Sequence, residues 1–249
     1  MFSKIIISIN SPNAVHWNMG SLMQGVIMEK VSGEYADKLH QDGINPYSQY
    51  IYSQNHISKW VISALSEEAD REIIKKFISE NPNEIYLTHK DETLKISRYE
   101  YSFTSLRDLM ESTYFGECSR YLTLSFDTPT AFKKQGRYQF YPTVFHIFQS
   151  LIMKYDAVVN DNRIYSEEIM DQIEEFVEVK NYSLRSTVFS LEGTKIPSFR
   201  GTLQLKIKGP QMFCNLIHLL AKFGEYSGVG IKTAMGMGAM HIVQKGEHR

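Results

Sequence analysis

The segment GEYSGVGIKTAMGMGAM, residues 224–240, places five glycines in fifteen positions, with Lys232 and Thr233 between the last two pairs. It connects an apolar segment with helical spacing (211–223) to a short apolar strand pattern (240–243), and so closes the last unit of the fold. Glycine permits backbone conformations and close approaches that a Cβ forbids, so the N–H groups of such a loop can reach an oxyanion. Two interpretations stay open, a tight helix-to-strand crossover and a phosphate-binding loop.

The spacing of these glycines does not match two well-known phosphate-binding motifs. A Rossmann fingerprint that begins at Gly228 requires a third glycine at position 233, where this chain has Thr233. A P-loop requires a glycine directly before its lysine, but Ile231 precedes Lys232, and a strand rather than a helix follows. These mismatches disfavour a nucleotide-binding metabolic enzyme. One lysine with a hydroxyl and free N–H groups suits a polynucleotide backbone better than a mononucleotide.

Hydrophobic periodicity predicts a similar order of elements in both halves of the chain. In the first half we expect a helix at 18–39 that can break at Ser32-Gly33, a helix at 66–81, and strands at 4–10, 50–53, 59–64 and 94–103. In the second half we expect helices at 143–155, 166–178 and 211–223, and strands at 120–127, 182–191, 199–208 and 240–243. The order β-α-β-β-α-β is the ferredoxin-like (RRM-like) motif. The sequence therefore predicts an α+β protein of two tandem ferredoxin-like domains, residues 1–117 and 118–249, the second with the C-terminal glycine-rich loop.

Length and composition exclude several classes of protein. The chain has 249 residues, of which 43% are hydrophobic and 12% aromatic, and this composition excludes intrinsic disorder. No apolar run approaches the roughly 18 residues of a transmembrane helix, so no membrane partner is expected. The two cysteines, Cys118 and Cys214, form neither a CxxC motif nor a disulfide framework. We expect a soluble protein in the reducing cytoplasm.

The net charge of −1 hides an uneven distribution along the chain. Residues 1–117 carry 11 basic and 16 acidic side chains, whereas residues 118–249 carry 16 basic and 12 acidic ones. In the second half, eight of the acidic residues lie in the single segment 156–178. The rest of that half has a net charge of +11. This pattern fits either charges segregated by chance onto solvated faces or a basic surface for an anionic polymer.

Several short motifs together resemble one known family. They are G-x-G-I-K-T-A-M-G-M-G (228–238), Leu39-His40, T-P-T-A-F-K (128–133), F-Y-P (140–142), I-P-S-F-R-G (196–201) and F-G-E-Y-S-G (223–228). The combination resembles the repeat-associated (RAMP) superfamily and, more narrowly, the CRISPR endoribonucleases of the Cas-six type, which cut precursor CRISPR RNA within its repeats. It is most similar to the versions that accompany type III-A (Csm) or type I-B systems. The resemblance spans essentially the whole chain and implies the same tandem fold.

The resemblance also implies a reaction that needs no metal and no cofactor. The ribose 2′-OH upstream of the scissile phosphate attacks it in line, and leaves a 2′,3′-cyclic phosphate and a 5′-OH. Histidine suits the acid or base role because its pKa of ~6.5 lies near working pH, and His40 matches the family's catalytic position. The implied partners are CRISPR repeat RNA and, transiently, a type III-A or type I-B effector complex, for a monomer or homodimer. The alternative is a non-catalytic RNA-binding subunit of such a complex.

The residues expected to bind RNA are basic side chains and the glycine loop. A predicted hairpin around Gly136 and a predicted strand supply the basic side chains, and Phe199 is a candidate for stacking on unpaired bases. For any single lysine, a solvated surface charge is the competing interpretation. The full set is Lys133, Lys134, Arg137, Arg200, Lys206, Lys208, Gly228, Gly230, Lys232, Thr233, Gly236 and Gly238.

The family often adds a tyrosine and a lysine to the catalytic histidine, and this chain departs from that pattern. No lysine lies between His40 and Lys59. The residues near His40 that can take such roles, none of them assignable, are Lys38, Tyr47, Tyr50 and Tyr52. Of the other histidines, His16 is a weaker catalytic candidate and His146 and His218 are expected to pack in the fold. The remaining four are expected at turns, on the surface or in the tail: His56, His89, His241 and His248.

Overall fold

The computed structural model describes residues 1–10, 15–41, 43–54, 57–159 and 163–244. Within these ranges the chain forms an antiparallel sheet of five strands, a second one of four strands, and a two-stranded hairpin. His56 and His248, expected at a turn and in the tail, lie outside the described residues.

The first half of the chain contains the five-stranded sheet, in the order β2-β3-β1-β5-β4. Its strands are β1 (Phe2–Asn10), β2 (Tyr47–Gln54), β3 (Ile57–Ala64), β4 (Glu84–Leu87) and β5 (Glu92–Thr104). Its helices are α1 (Gly20–Lys30), α2 (Gly33–Gln41) and a helical run of α3 (Glu67–Ala69), a π-helical turn (Asp70–Ile74) and α4 (Lys75–Glu80). The first predicted helix does break at Ser32, and the sequence did not predict β4.

The second half contains the four-stranded sheet, in the order β11-β6-β10-β9, which is the ferredoxin-like order. After α5 (Leu106–Ser112), which the sequence did not predict, come β6 (Tyr121–Thr130), β7 (Phe132–Lys134), β8 (Arg137–Gln139), α6 (Val144–Val158), α7 (Glu167–Phe176), β9 (Val177–Leu191), β10 (Thr194–Ile207), α8 (Gln211–Ser227) and β11 (Met240–Ile242). The predicted tandem ferredoxin-like fold is confirmed. The proposed boundary between residues 117 and 118 stays a prediction.

Alternating apolar residues build the core between each sheet and its helices. On β6 the buried side chains are Leu122, Leu124 and Phe126, and the residues between them face outward. Phe199 of β10 belongs to this core, with its ring centroid 5.0 Å from that of Phe126 and 6.1 Å from that of Phe132. Its side chain is only 2% exposed, so the prediction that Phe199 stacks on RNA bases is wrong.

The glycine loop, residues 228–238, connects α8 to β11 and packs against the first half of the chain. A Cβ on Gly20, the first residue of α1, would lie 2.1 Å from the carbonyl oxygen of Met235, so only glycine fits there. The buried amide of Gln49 donates hydrogen bonds to the carbonyl oxygens of Gly20 (2.6 Å) and Ala234 (3.0 Å). Its own oxygen accepts a hydrogen bond of 2.8 Å from Nε1 of Trp60. The loop is therefore fixed to both halves of the protein.

Substitution of Gly20 tests this docking contact. We expect Gly20→Ala to be less stable than Gly25→Ala by about 1–3 kcal/mol, because the new methyl group overpacks the interface. Gly25 is a matched control, since it lies in the same helix and a Cβ there meets nothing within 4 Å. Urea unfolding of both variants measures the difference, and equal unfolding free energies would contradict the tight contact.

Candidate functional site

A cleft of about 550 Å³ lies between the two halves, and we call it the main cleft. It is bordered by residues 43–45 after α2, by the β7–β8 hairpin, by one face of α6 and by the glycine loop. Lys133, Lys154 and Lys232 line it, and no aspartate or glutamate is found among its described lining residues. An acid-free cleft with three lysines attracts anions.

The glycines of the loop mainly allow it to pack tightly. A Cβ on Gly238, whose φ is +71°, would lie 2.0 Å from the carbonyl oxygen of Val229. Three glycine N–H groups are used inside the protein: Gly228 donates to the Gly224 carbonyl (2.9 Å), Gly230 to Ser150 Oγ (2.8 Å) and Gly238 to the Pro129 carbonyl (3.0 Å). These glycines therefore hold the loop in shape and do not offer free donors to a ligand.

The free donors of the loop lie at its centre. Lys232 is exposed and has a left-handed backbone conformation with φ of 56°, which the surrounding contacts impose. The N–H groups of Lys232, Thr233 and Ala234 have no acceptor within the part of the chain that the structure describes. All three residues line the main cleft, so the exposed Lys232 side chain and these backbone groups belong to the same wall of it.

The predicted hairpin beside the main cleft is confirmed. β7 and β8 are joined by Gln135 and Gly136, both with positive φ (49° and 80°), as two-residue hairpin turns require. Lys134 and Arg137 face each other across the hairpin, and both are exposed together with Lys133. Three cations, for which the described residues provide no ion-pair partner, thus project from one short hairpin.

His146 of α6 lies in the main cleft, where the sequence predicted only packing. Its ring stacks on Phe132 at 5.5 Å, and its Nδ1 is 2.8 Å from Oγ1 of Thr143. Burial and the nearby Lys134 hold the pKa of His146 below its usual value, while Glu174 partly opposes them. The neutral ring is therefore favoured.

The structure places His40 in the last turn of α2 and not, as predicted, in the loop after a helix. Leu39 is buried beside it, whereas His40 is exposed. His40 is not a lining residue of the main cleft, but Gly43, three residues later, is. Three residues span at most about 10 Å, so His40 lies near the rim of the cleft.

A second cleft of about 380 Å³ also lies between the halves. The Arg200 guanidinium lies 4.2 Å from the ring centroid of Trp17, and Nδ1 of His241 is 2.6 Å from Oδ2 of Asp127. His241 is therefore part of a cleft, where the sequence predicted an ordinary turn, surface or tail residue. The cleft is lined by His16, Trp17, Tyr50, Ile51, Tyr52, Ser53, Asp127, Arg200 and His241.

Three of the predicted RNA-binding residues are not lining residues of the main cleft. Arg200 lines the second cleft. Lys206, on β10, and Lys208, just after it, lie six and eight residues later in the chain, and are thus about 20 Å or more from Arg200. Lys206 lies 6.0 Å from the ring centroid of Tyr121, and Lys208 forms an ion pair with Glu178. The sequence grouped these residues by charge, but the strand separates them.

Two of the residues near His40 that were not assignable from the sequence have other environments in the structure. Tyr47 is 1% exposed, and burial raises the pKa of its hydroxyl to about 12. Lys38 forms an ion pair with Glu68.

The described residues contain neither a cluster of metal ligands nor a membrane-spanning helix. No three histidine, cysteine, aspartate or glutamate side chains of this part of the chain are close enough to hold a metal ion. Within the same ranges, no helix combines the length and apolar character needed to cross a membrane.

Comparison with known proteins points to one family. The model of the family described as CRISPR-associated endoribonuclease Cas6 matches residues 124–240. The Cas6 endoribonuclease of Streptococcus thermophilus is 31% identical over 221 residues, which are 89% of this chain and 90% of that protein. The Cas6 endoribonuclease of Mycobacterium tuberculosis is 31% identical over 225 residues, which are 90% of this chain and 71% of that protein.

Solved structures share the fold over nearly the whole chain. The product complex of a Thermus thermophilus Cas6 superposes with a TM-score of 0.81 at 20% identity, and covers 98% of this chain and 100% of that chain. A second Cas6 product complex gives the same TM-score at 18% identity, with 98% and 100% coverage. A RAMP protein described as binding different RNA substrates has a TM-score of 0.56 at 14% identity, with 97% and 100% coverage.

The pKa of His146 tests the position of the hairpin. Removing the positive charge of Lys134 stabilises the imidazolium, so we expect Lys134→Ala to raise the pKa of His146. Lys90→Ala, at an exposed site after β4, is the control and should leave it unchanged. NMR titration of the His146 ring measures both effects. If His146 has the same pKa in both variants, the charge of Lys134 does not act on the His146 ring, and the described position of the hairpin is wrong.

Proposed function

We propose that this chain, which belongs to the Cas6 family of CRISPR-associated endoribonucleases, cuts precursor CRISPR RNA within its repeats by attack of a ribose 2′-OH and without a metal ion. The observation that carries the proposal is the main cleft, where three lysines and the free N–H groups of residues 232–234 lie without any acidic lining residue of the described chain. Such a cleft binds a phosphate diester, and the segment that follows His40 borders it.

The bond changes are confined to one phosphate. The 2′ oxygen forms a bond to phosphorus, the bond from phosphorus to the 5′ oxygen breaks, and the products are a 2′,3′-cyclic phosphate and a 5′-OH. A base accepts the proton of the 2′-OH, and an acid gives a proton to the leaving 5′ oxygen. His40 fills one of these two roles, because it is an exposed histidine near the rim of the cleft.

The charge that develops on the phosphate oxygens is met by groups of the second half. Lys232 and the N–H groups beside it are held in place before the substrate arrives, so they stabilise this charge without rearrangement. The substrate supplies its own nucleophile, and lysine supplies the positive charge. The proposed reaction therefore takes neither a metal nor a cofactor.

The remaining parts of the proposal concern binding. Lys133, Lys134 and Arg137 hold the RNA backbone beside the cleft, and Arg200, Lys206 and Lys208 contact more distant parts of the repeat. We further propose a cytoplasmic monomer or homodimer that delivers its product to a type III-A or type I-B effector complex. With domains 1–117 and 118–249, the proposed proton-transfer residue His40 belongs to the first domain. The proposed phosphate site at Lys232 belongs to the second domain.

Replacement of His40 tests the reaction. We expect His40→Ala to cut a cognate repeat RNA in EDTA about 10²–10⁴ times more slowly than the unmodified protein, the usual contribution of one acid–base group. His89→Ala is the matched control, because His89 is an exposed histidine beyond β4 in the same half. A repeat whose leaving 5′ oxygen is replaced by sulfur needs no acid. That repeat restores the His40→Ala rate if His40 is the acid and leaves it low if His40 is the base.

Two outcomes would contradict this assignment. Cleavage by His40→Ala at the unmodified rate would remove His40 from catalysis. Tight binding of repeat RNA by the unmodified protein without any cleavage would favour the non-catalytic RNA-binding subunit.

The hairpin makes a separate prediction about salt. We expect Lys133→Ala with Lys134→Ala to weaken binding of repeat RNA and to reduce the slope of log K against log salt by about 1.4–1.8, because two phosphate contacts are lost. Lys90→Ala with Lys95→Ala removes the same charge from two exposed sites at the opposite edge of the first sheet. Fluorescence anisotropy at several salt concentrations measures the slope. Equal slopes for the two double variants would show that Lys133 and Lys134 do not contact RNA phosphates.

A further inference from the structure

We propose that Lys154 is a positioning residue for RNA cleavage, which holds the glycine loop in the shape that presents Lys232 and its neighbouring N–H groups to the scissile phosphate. This inference rests on the proposed function. Lys154 lies on α6. It belongs to none of the sequence motifs described above, and the apolar spacing of the helix assigns it no role.

The ammonium group of Lys154 connects two parts of the loop. Nζ donates to the carbonyl oxygens of Ser227 (3.3 Å) and Gly228 (3.2 Å), where α8 ends and the loop begins. It also donates to Oγ1 of Thr233 (3.1 Å), in the middle of the loop. The three donors of an ammonium group therefore have three acceptors, and the loop is closed on itself through one side chain.

Burial of the Lys154 ammonium group is unfavourable, and packing of α6 alone does not explain why a lysine occupies this position. Its side chain is almost wholly buried, and no carboxylate forms an ion pair with it among the described residues. Burial lowers its pKa to about 7, because the charged form loses its hydration. The carbonyl groups at the end of α8 compensate in part, since the C-terminus of a helix carries partial negative charge.

Lys154 acts through the loop and does not meet the RNA itself. Its three donors are occupied within the protein and its side chain is buried, whereas Lys232, the residue next to Thr233, is exposed. On the α6 side the loop has one further anchor, the hydrogen bond from the Gly230 N–H to Ser150. Without Lys154, Thr233 loses its hydrogen-bonded link to the end of α8, and residues 232–234 are held only by their remaining contacts, such as the hydrogen bond from Gln49 to Ala234. The free donors are then positioned less precisely.

Lys4 provides a control for a lysine that donates to a carbonyl group of α8. Its Nζ donates to the carbonyl oxygen of Glu225 on α8 (3.0 Å) and lies 4.6 Å from the ring centroid of Tyr226. Burial lowers the pKa of Lys4 as well. Lys4 thus resembles Lys154 in its carbonyl partner on α8 and in the direction of its pKa shift, but it is only half-buried and is not a lining residue of the main cleft.

The test compares Lys154→Met with Lys4→Met in single-turnover cleavage of repeat RNA. Methionine keeps the length of the side chain and removes the donors. We expect Lys154→Met to lower the cleavage rate at saturating RNA by 10- to 100-fold, about the loss that a misplacement of ~1 Å causes. The Kd for a repeat with a 2′-deoxy cleavage site should change less than threefold, because the hairpin still binds the backbone. Lys4→Met should retain the unmodified rate.

A second variant guards against misfolding of Lys154→Met. Thr233→Val keeps the shape of the side chain and removes only the hydroxyl that accepts from Lys154, so we expect a smaller loss of the saturated rate in the same direction. Thermal unfolding of each variant verifies the fold.

The outcomes separate the inference from the proposed function. If the unmodified protein binds repeat RNA but does not cut it, the proposed function fails. If it cuts and both Lys154→Met and Thr233→Val cut equally fast, the inference fails. A loss confined to Kd, or an equal loss in Lys4→Met, also overturns the positioning role.

Discussion

The missing Cβ of Gly20 lets the glycine loop pack against the first half of the chain, and the main cleft depends on this contact. The Met235 carbonyl occupies the space that an alanine methyl group would need. Gln49 then bonds to both backbones at once, and Trp60 fixes the orientation of the Gln49 amide. Because a buried amide with all of these partners cannot shift without losing hydrogen bonds, the two halves are held in one relative position. The cleft between them is therefore a fixed feature of the fold.

The electrostatics of the cleft depend on where charges lie and not on their sum. The net charge of −1 includes the acidic helix α7, whose Met170 and Ile173 pack into the core while its carboxylates face solvent. At ordinary ionic strength, exposed charges more than a Debye length of about 10 Å apart are largely screened. A phosphate in the main cleft thus interacts mainly with the lysines that line it. Net charge is a poor guide to the partner of this protein.

The sequence predicted the features that depend on local chemistry and missed those that depend on packing between distant segments. The hairpin was predictable, since Gly136 between basic residues marks a turn. Lys154 was not, because its burial arises from the end of α8, more than seventy residues later. The prediction for Phe199 relied on its basic neighbour Arg200, whereas the alternation of buried side chains along β10 places Phe199 in the core. The helix before His40 was predicted to end at residue 39, two residues before its observed end at Gln41, since helix ends are poorly marked in sequence.

In the proposed reaction, the packing also limits which side chain can complete an acid–base pair with His40. Tyr50 and Tyr52 line the second cleft, and Tyr47 is buried, so the tyrosines that follow His40 most closely in sequence do not line the main cleft. The titratable side chains that do line it come from the second half, namely Tyr138, His146 and the three lysines. Of the lysines, Lys154 has all its donors in use. A partner drawn from the described lining of the main cleft therefore belongs to the opposite half from His40, and the fixed docking of the two halves sets the distance between them.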